Sequence, residues 1–363
     1  MKFTDYRPRG VISPTDKALA RISKKVYAHL WNSSWELFDD LDDEELQELA
    51  FMLVEFGEDT WYEIGLWKGI EDYNREFFGT PLPFMLPEGE EYSDFPFDEF
   101  RLMYFLWASL ETMQPGHIYS PSHSDLLPVA KELSLLLEKE FKTLPAISSV
   151  KRFLKKSSKN AWDGKQKLVW FGTQSYLFRM PYADHYYEYD EPKVYDDSVA
   201  LVEQFLIRTP TIWSGLTPLE VLIPALNVTA EQRKELYQWY EKRQMGLYQI
   251  LEKTRNMVSL LNLINNQTYE VVTDAAMSSK FSDKEGGVLG AALVPYNKKW
   301  YWSGLQTYFG IPAPEQVQDI VTAFKQKMWQ SVYCFDEEKE QAAKAAIREQ
   351  HKAFVEYFGD DFA

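Results

Sequence analysis

The chain has 363 residues, a formal net charge of −16, 45% apolar residues and 16% aromatic residues. That length holds one large domain or two ordinary ones, with a real and ring-rich core. The charge disfavours long-range attraction to phosphate backbones while leaving room for a local basic patch, and the lone cysteine, Cys334, excludes both a disulfide framework within one chain and a cysteine zinc site.

The start, MKFTDYRPRG, has no apolar stretch of the kind that opens a secretory signal. With the single thiol it fits a cytoplasmic protein. Ser13-Pro14-Thr15-Asp16 reads as an N-cap, a proline at N1 and an acid in the first turn; Leu19, Ile22, Val26 and Leu30 follow at helical spacing. Asp42-Asp43-Glu44-Glu45 reads as a capping box opening a helix through Leu46, Leu49, Leu53 and Phe56. Gly57 and Gly65 leave open whether one helix or two runs to Phe78.

Residues 81–96, with four prolines and a cluster of acids, read as a loop, and Asp98 caps a helix to about Met113. The longest apolar block there, Met103 to Leu110, is far short of the ~20 residues that span a bilayer, so no membrane contact is expected. Helices are predicted over 124–141, 162–179 and 198–207, with a Tyr- and acid-rich loop over 180–192. Thr217-Pro218-Leu219-Glu220 is the clearest helix start in the chain. Thr229 to Gln232 opens what the spacing of Leu236, Trp239, Leu247, Ile250 and Val258 predicts as the longest helix, to about Leu263.

The period then shortens. Strands are predicted over 268–275, 288–294 and 300–309, with a turn at 296–299, which gives a three-stranded antiparallel meander near the C-terminus. Helices over 314–332 and 336–357 complete the chain. The expected fold is α+β, predominantly helical, divided into a helical unit 1–195 and a second unit 196–363, or continuous across them.

Four phrases, FDEFRLMYFLW (97–107), VKRFLKKSSKNAWDGKQKLVWFGTQSYLFR (150–179), TPLEVLIPALNVTAEQRKELYQWY (217–240) and WYWSGLQ (300–306), resemble a bacterial family known only as a domain of unknown function. The resemblance covers most of the chain. It implies a bacterial, intracellular, mainly helical protein and transfers no catalytic residue.

Motifs for chemistry are scarce. His117 and His123, with Asp125 close by, could join His185 and Asp184 in a hydrolytic metal site, but their spacing matches no zinc motif. Ser214 and Ser303 both lie in W-S-G-L, which is not a nucleophile elbow. No phosphate-cradling glycine motif is present, so neither cofactor nor metal is expected. Charge does stand out in one place. Lys151, Arg152, Lys155, Lys156, Lys159, Lys165 and Lys167 face a single acid, Asp163, over 17 residues. Such a run is a contact for an acidic protein or RNA, or a set of bases answering the protein's own acids, such as the eight between Glu36 and Glu48.

Alternation along the last strand puts Trp300, Trp302, Gln306 and Tyr308 on one side and Tyr301, Leu305 and Phe309 on the other. Most of these rings read as core, and Gln306 is the polar position that hints at a groove. The expectation from sequence is a non-enzymatic cytoplasmic protein that binds a macromolecular partner, with Lys151, Arg152, Lys155, Lys156 and Gln306 as contact residues. The alternatives are a hydrolase using His117, His123 and His185, and a nucleic-acid-associated protein using 151–167.

Overall fold

Most helix starts fall where a side chain can accept the free N–H groups of a first turn. The computed structural model describes residues 2–33, 35–83, 95–114, 117–121, 123–187, 195–211, 213–273, 285–328 and 345–350, with positions 85, 92, 93, 352, 353 and 356. Helix α1 (Asp16–Trp31) begins later than expected. Ser13 bonds Thr15 at 2.7 Å instead of capping, and Asp16 turns inward to Arg7. Helix α2 (Asp43–Trp61) carries the capping box between Asp42 and Glu45. It does not run on into α3 (Leu66–Phe78). Glu63 and Gly65 take positive φ, and the Asp59 carboxylate accepts the N–H groups of Gly65, Leu66 and Trp67, so α2 supplies the cap of α3. Gly57 is no break. A Cβ there would lie 2.9 Å from the Phe141 ring, so this glycine allows α2 to meet α5 (Leu126–Phe141) closely.

Asp98 caps α4 (Glu99–Met113) as expected. Then come α6 (Ser149–Lys155), α7 (Ala161–Gln174) and α8 (Arg179–Tyr187), the last helical where a loop was expected. Helix α9 (Tyr195–Arg208) leads to α10 (Pro218–Ala225), whose capping box pairs Thr217 with Glu220. Helices α11 (Ala230–Tyr237) and α12 (Trp239–Lys242) are short.

The long helix expected over 229–263 is not there. After Arg243 the chain enters β1 (Gln244–Lys253), turns at 254–256 and returns as β2 (Met257–Asn262). Burial in β2 alternates strictly along the strand, a period of two that the Leu and Ile spacing concealed. Gly246 disfavours helix and is needed in the strand, since a Cβ there would sit 2.7 Å from Asn262 Nδ2.

The meander expectation is also overturned. Strands β3 (Thr268–Val272), β4 (Val288–Tyr296) and β5 (Lys299–Gly310) join β1 and β2 in a closed barrel of order β1-β2-β3-β5-β4. All neighbours are antiparallel except β3 and β5, which run parallel at Val271–Trp300 and Val272–Tyr301. Asn297 and Lys298, both at positive φ, make the two-residue β4–β5 turn.

Tyr248, Ile250, Val258, Leu260, Tyr269, Leu289, Leu293 and Trp302 are among the residues that fill the barrel. Its outer wall is used as well. Val294, Tyr296 and Tyr301 belong to the large helical core that begins at Phe3. Leu247 and Val288 pack under Val321 of α13 (Pro314–Met328). The rings at 301 and 302 are therefore structural on both sides of one strand: Trp302 inside the barrel, Tyr301 against the helices.

Candidate functional site

Helix α6 is seven residues long because both its ends are tied off by side chains. Ser148 accepts the Lys151 N–H at 3.1 Å at the start. At the end, the Lys167 ammonium reaches across from α7 and donates to the carbonyls of Leu154, at 2.9 Å, and Lys156, and to Ser158 Oγ at 3.2 Å. A cation on the last carbonyls of a helix also suits its dipole. Burial pulls Lys167 down to about 8, with the nearby Lys156 and Lys155 acting the same way against Asp163.

Lys165 is withdrawn too. Its ammonium meets Glu203 of α9 and lies 3.2 Å from Ser303 Oγ of β5. Ser303 donates to the same carboxylate at 2.6 Å, and Arg243 donates to its other oxygen, through Nε at 3.0 Å. Burial pushes Glu203 up, but Arg243 and Lys165 outweigh it and hold the carboxyl at about 2. This cluster joins α7, α9, the start of β1 and β5. Ser303 is fully buried, so its hydroxyl is a structural donor out of reach of a substrate.

The basic run therefore divides. Lys165 and Lys167 hold the fold together, while Arg152, Lys155, Lys156 and Lys159 are exposed and Lys151 half-buried. The eight acids of 36–48 are not what they answer. Lys151 lies 3.8 Å from Glu63, and Arg152 donates to Ser149. Lys155 donates to the Ala225 carbonyl at 2.8 Å, and Asn227 Nδ2 donates to the Lys155 carbonyl at 3.1 Å, which ties α6 to the loop before α11. Burial of part of its stem lowers Lys155, and the like charges of Lys151 and Arg233 add to this. Arg233 opens onto a shallow depression of about 390 Å³ lined also by Ala230, Lys234, Tyr237, Gln238 and Glu241. Arg233, close enough to act on Lys155, thus links the basic helix to a surface with an exposed ring, Tyr237.

The other candidates do not assemble. His117 is exposed against Gln114, His123 accepts the Asp125 N–H at 3.2 Å, and His185 is buried beside Phe205. Among the described residues no three His, Cys, Asp or Glu side chains come together as metal ligands do. Ser214 bonds Thr211 within a turn. The Gln306 side chain lies outside the described residues, as does Cys334. Among the described residues no helix is long and apolar enough to cross a membrane.

A closed five-stranded barrel with β3 parallel to β5 has the arrangement of the OB barrel, which elsewhere binds oligonucleotides across strands 2 and 3. Here the outward residues of those strands are Met257, Ser259, Leu261, Thr268, Glu270 and Val272, with no base or ring among them. The β4–β5 turn is occupied as well, since Glu235 of α11 accepts the N–H groups of Asn297 and Lys298.

The protein is thus of the α+β class, a helical body carrying a small filled barrel. It belongs to the family described as protein of unknown function DUF3843, which it matches over residues 3–204, from the first turn to the middle of α9. No curated protein and no solved structure matches the chain.

Proposed function

We propose that this is a non-enzymatic cytoplasmic protein that binds an acidic protein partner through Lys151, Arg152, Lys155, Lys156 and Lys159, with Arg233 and Tyr237 at the edge of the contact. The observation that carries this reading is the sorting of the basic run. Two bases are consumed by the fold, and five keep their charge at or near the surface of a chain whose net charge is −16, Lys155 among them while also bonding the Ala225 carbonyl. Surface bases with few acids near them attract and orient an acidic partner.

The scattered histidines, the buried Ser303 and the bonded Ser214 speak against a hydrolase. The bare β2–β3 face and the overall charge favour protein over nucleic acid. The test is affinity capture from the native cell with the wild type and with a variant carrying Lys151, Arg152, Lys155 and Lys156 as Gln. A protein captured by the first and lost by the second supports the reading. Capture of RNA in its place would move the site to the nucleic-acid class, and capture unaffected by the substitutions would remove the site.

A further inference from the structure

Beneath that surface, α2 carries a row of buried acids. Glu48, Glu55, Glu58 and Asp59 are each at most 7% exposed, and Asp16 of α1 joins them at 9%. Two guanidinium groups face these five carboxyls. Arg7 binds Asp16 at 2.8 Å and Glu58 at 2.6 Å, and Arg179 of α8 binds Glu48 and Glu55. Asp59 has no cation bonded to it. It takes the three N–H groups that start α3, and the Tyr176 hydroxyl at 2.7 Å.

The row fastens several pieces to α2. The N-terminal segment enters through Arg7 and through Tyr6, whose ring lies 4.3 Å under the Arg179 guanidinium. The cap of α6 enters through Ser148, 3.2 Å from Glu58 Oε1. The other titratable groups that act on the row are Tyr62 beside Glu58, Lys155 facing Asp59, and Glu71 of α3, which acts on Tyr176.

If every group were ionised, the strip would hold three more negative charges than positive ones, out of water. Such an excess is relieved by keeping protons. We propose that the strip is a proton-controlled lock: the folded protein keeps at least one proton on the α2 carboxyls at pH values where exposed carboxyls have lost theirs, and losing it as pH rises loosens the N-terminal segment and the α2–α3 corner. Burial, the leading influence on each, raises Glu55, Glu58 and Asp59 above the ordinary carboxylate range. The sign follows. Between the unfolded value and the raised folded one, the native state binds more protons than the unfolded state, so stability falls as pH rises through that window.

The test is urea unfolding of the full chain from pH 5 to pH 9, for the wild type, Asp59→Asn and Glu55→Gln. Each variant removes one titrating group while keeping an acceptor oxygen. Taking the difference between wild type and variant at each pH cancels the groups that do not interact with the substituted one and leaves the titration of the strip. In the window where one proton is lost, the wild-type unfolding constant should rise by up to about tenfold per pH unit relative to at least one of the variants. Hydrogen exchange of the wild type, corrected for intrinsic rates, covers the case in which the variants do not fold. Residues 3–7 and 62–67 should lose protection with rising pH sooner than α4 does. A wild-type-to-variant difference flat across pH, or protection at 3–7 and 62–67 that follows α4, overturns the proposal.

Discussion

Glu203→Gln should weaken the joint between the helical body and the barrel by about 3 kcal/mol at pH 7. Two ways of reckoning the same ion cluster lead to that size. The first is linkage. With the folded carboxyl at about 2 and the usual value at 4.5, the difference corresponds to roughly 3 kcal/mol. The second is the cost of breaking a buried ion pair, about 3–5 kcal/mol, because Lys165 and Arg243 would face a neutral amide in a site only 2% exposed. Since the folded value is depressed, the stabilisation is complete above the unfolded value. It disappears as pH falls from about 4.5 towards 2. Equilibrium urea unfolding of wild type and variant at pH 7, 5, 4 and 3 reads this directly. The gap between the two should be near full size at pH 7 and 5 and narrow steadily below. A gap under about 1 kcal/mol at pH 7, or one that stays constant down to pH 3, would mean that the Glu203 charge is not what the two cations require.

Trp302→Ala empties the centre of the barrel and should cost about 3–5 kcal/mol in chemical unfolding, while an unchanged midpoint would mean that the barrel does not pack on this ring. Lys167→Met keeps the stem but strands the Leu154 and Lys156 carbonyls, so a loss of about 1–3 kcal/mol is expected, with faster hydrogen exchange across α6. Thr217→Ala removes one half of the α10 capping box and should cost about 1 kcal/mol, whereas a neutral result would show that tertiary packing alone starts this helix.

Sequence signals were reliable where a local side chain fixes the backbone. Asp42, Asp98 and Thr217 cap the helices that their spacing announces, because a cap acts within three or four residues. They failed where period is ambiguous. Leu247, Ile250 and Val258 satisfy a helical stripe, yet Tyr248 and Ile250 point into the barrel while Leu247 points outward to α13. Closure of the sheet depends on which strands find each other, and no short stretch carries that information. Alternation at 300–302 did separate the two faces of β5 correctly.

The candidate site was half legible. A count of charges located the basic run, but only the fold separates Lys165 and Lys167, engaged with Glu203 and with helix-end carbonyls, from the bases left outside. Arg233 and Tyr237 join the surface from a helix some 80 residues further along the chain, beyond the reach of any local pattern. The buried acids of α2 did leave a mark. Glu55 interrupts the run Met52-Leu53-Val54-Glu55-Phe56, and an acid on an otherwise apolar helix face calls for a buried cation.

The proposed function stands or falls with the contact surface formed by the outer bases. The direct measurement is the affinity of the captured partner, by titration calorimetry at low and physiological salt, for three proteins. These are the wild type, the variant with Lys151, Arg152, Lys155 and Lys156 as Gln, and a control with the exposed Lys24 and Lys139 of α1 and α5 as Gln. Exposed charge changes of this kind should leave folding within about 0.5 kcal/mol each, and Lys155→Gln loses in addition its bond to the Ala225 carbonyl, about 1 kcal/mol. The quadruple variant should lose at least about tenfold in affinity and show a weaker dependence on salt, and the control should lose nothing. Equal losses in both variants, or none in the quadruple one, would rule out the contact surface.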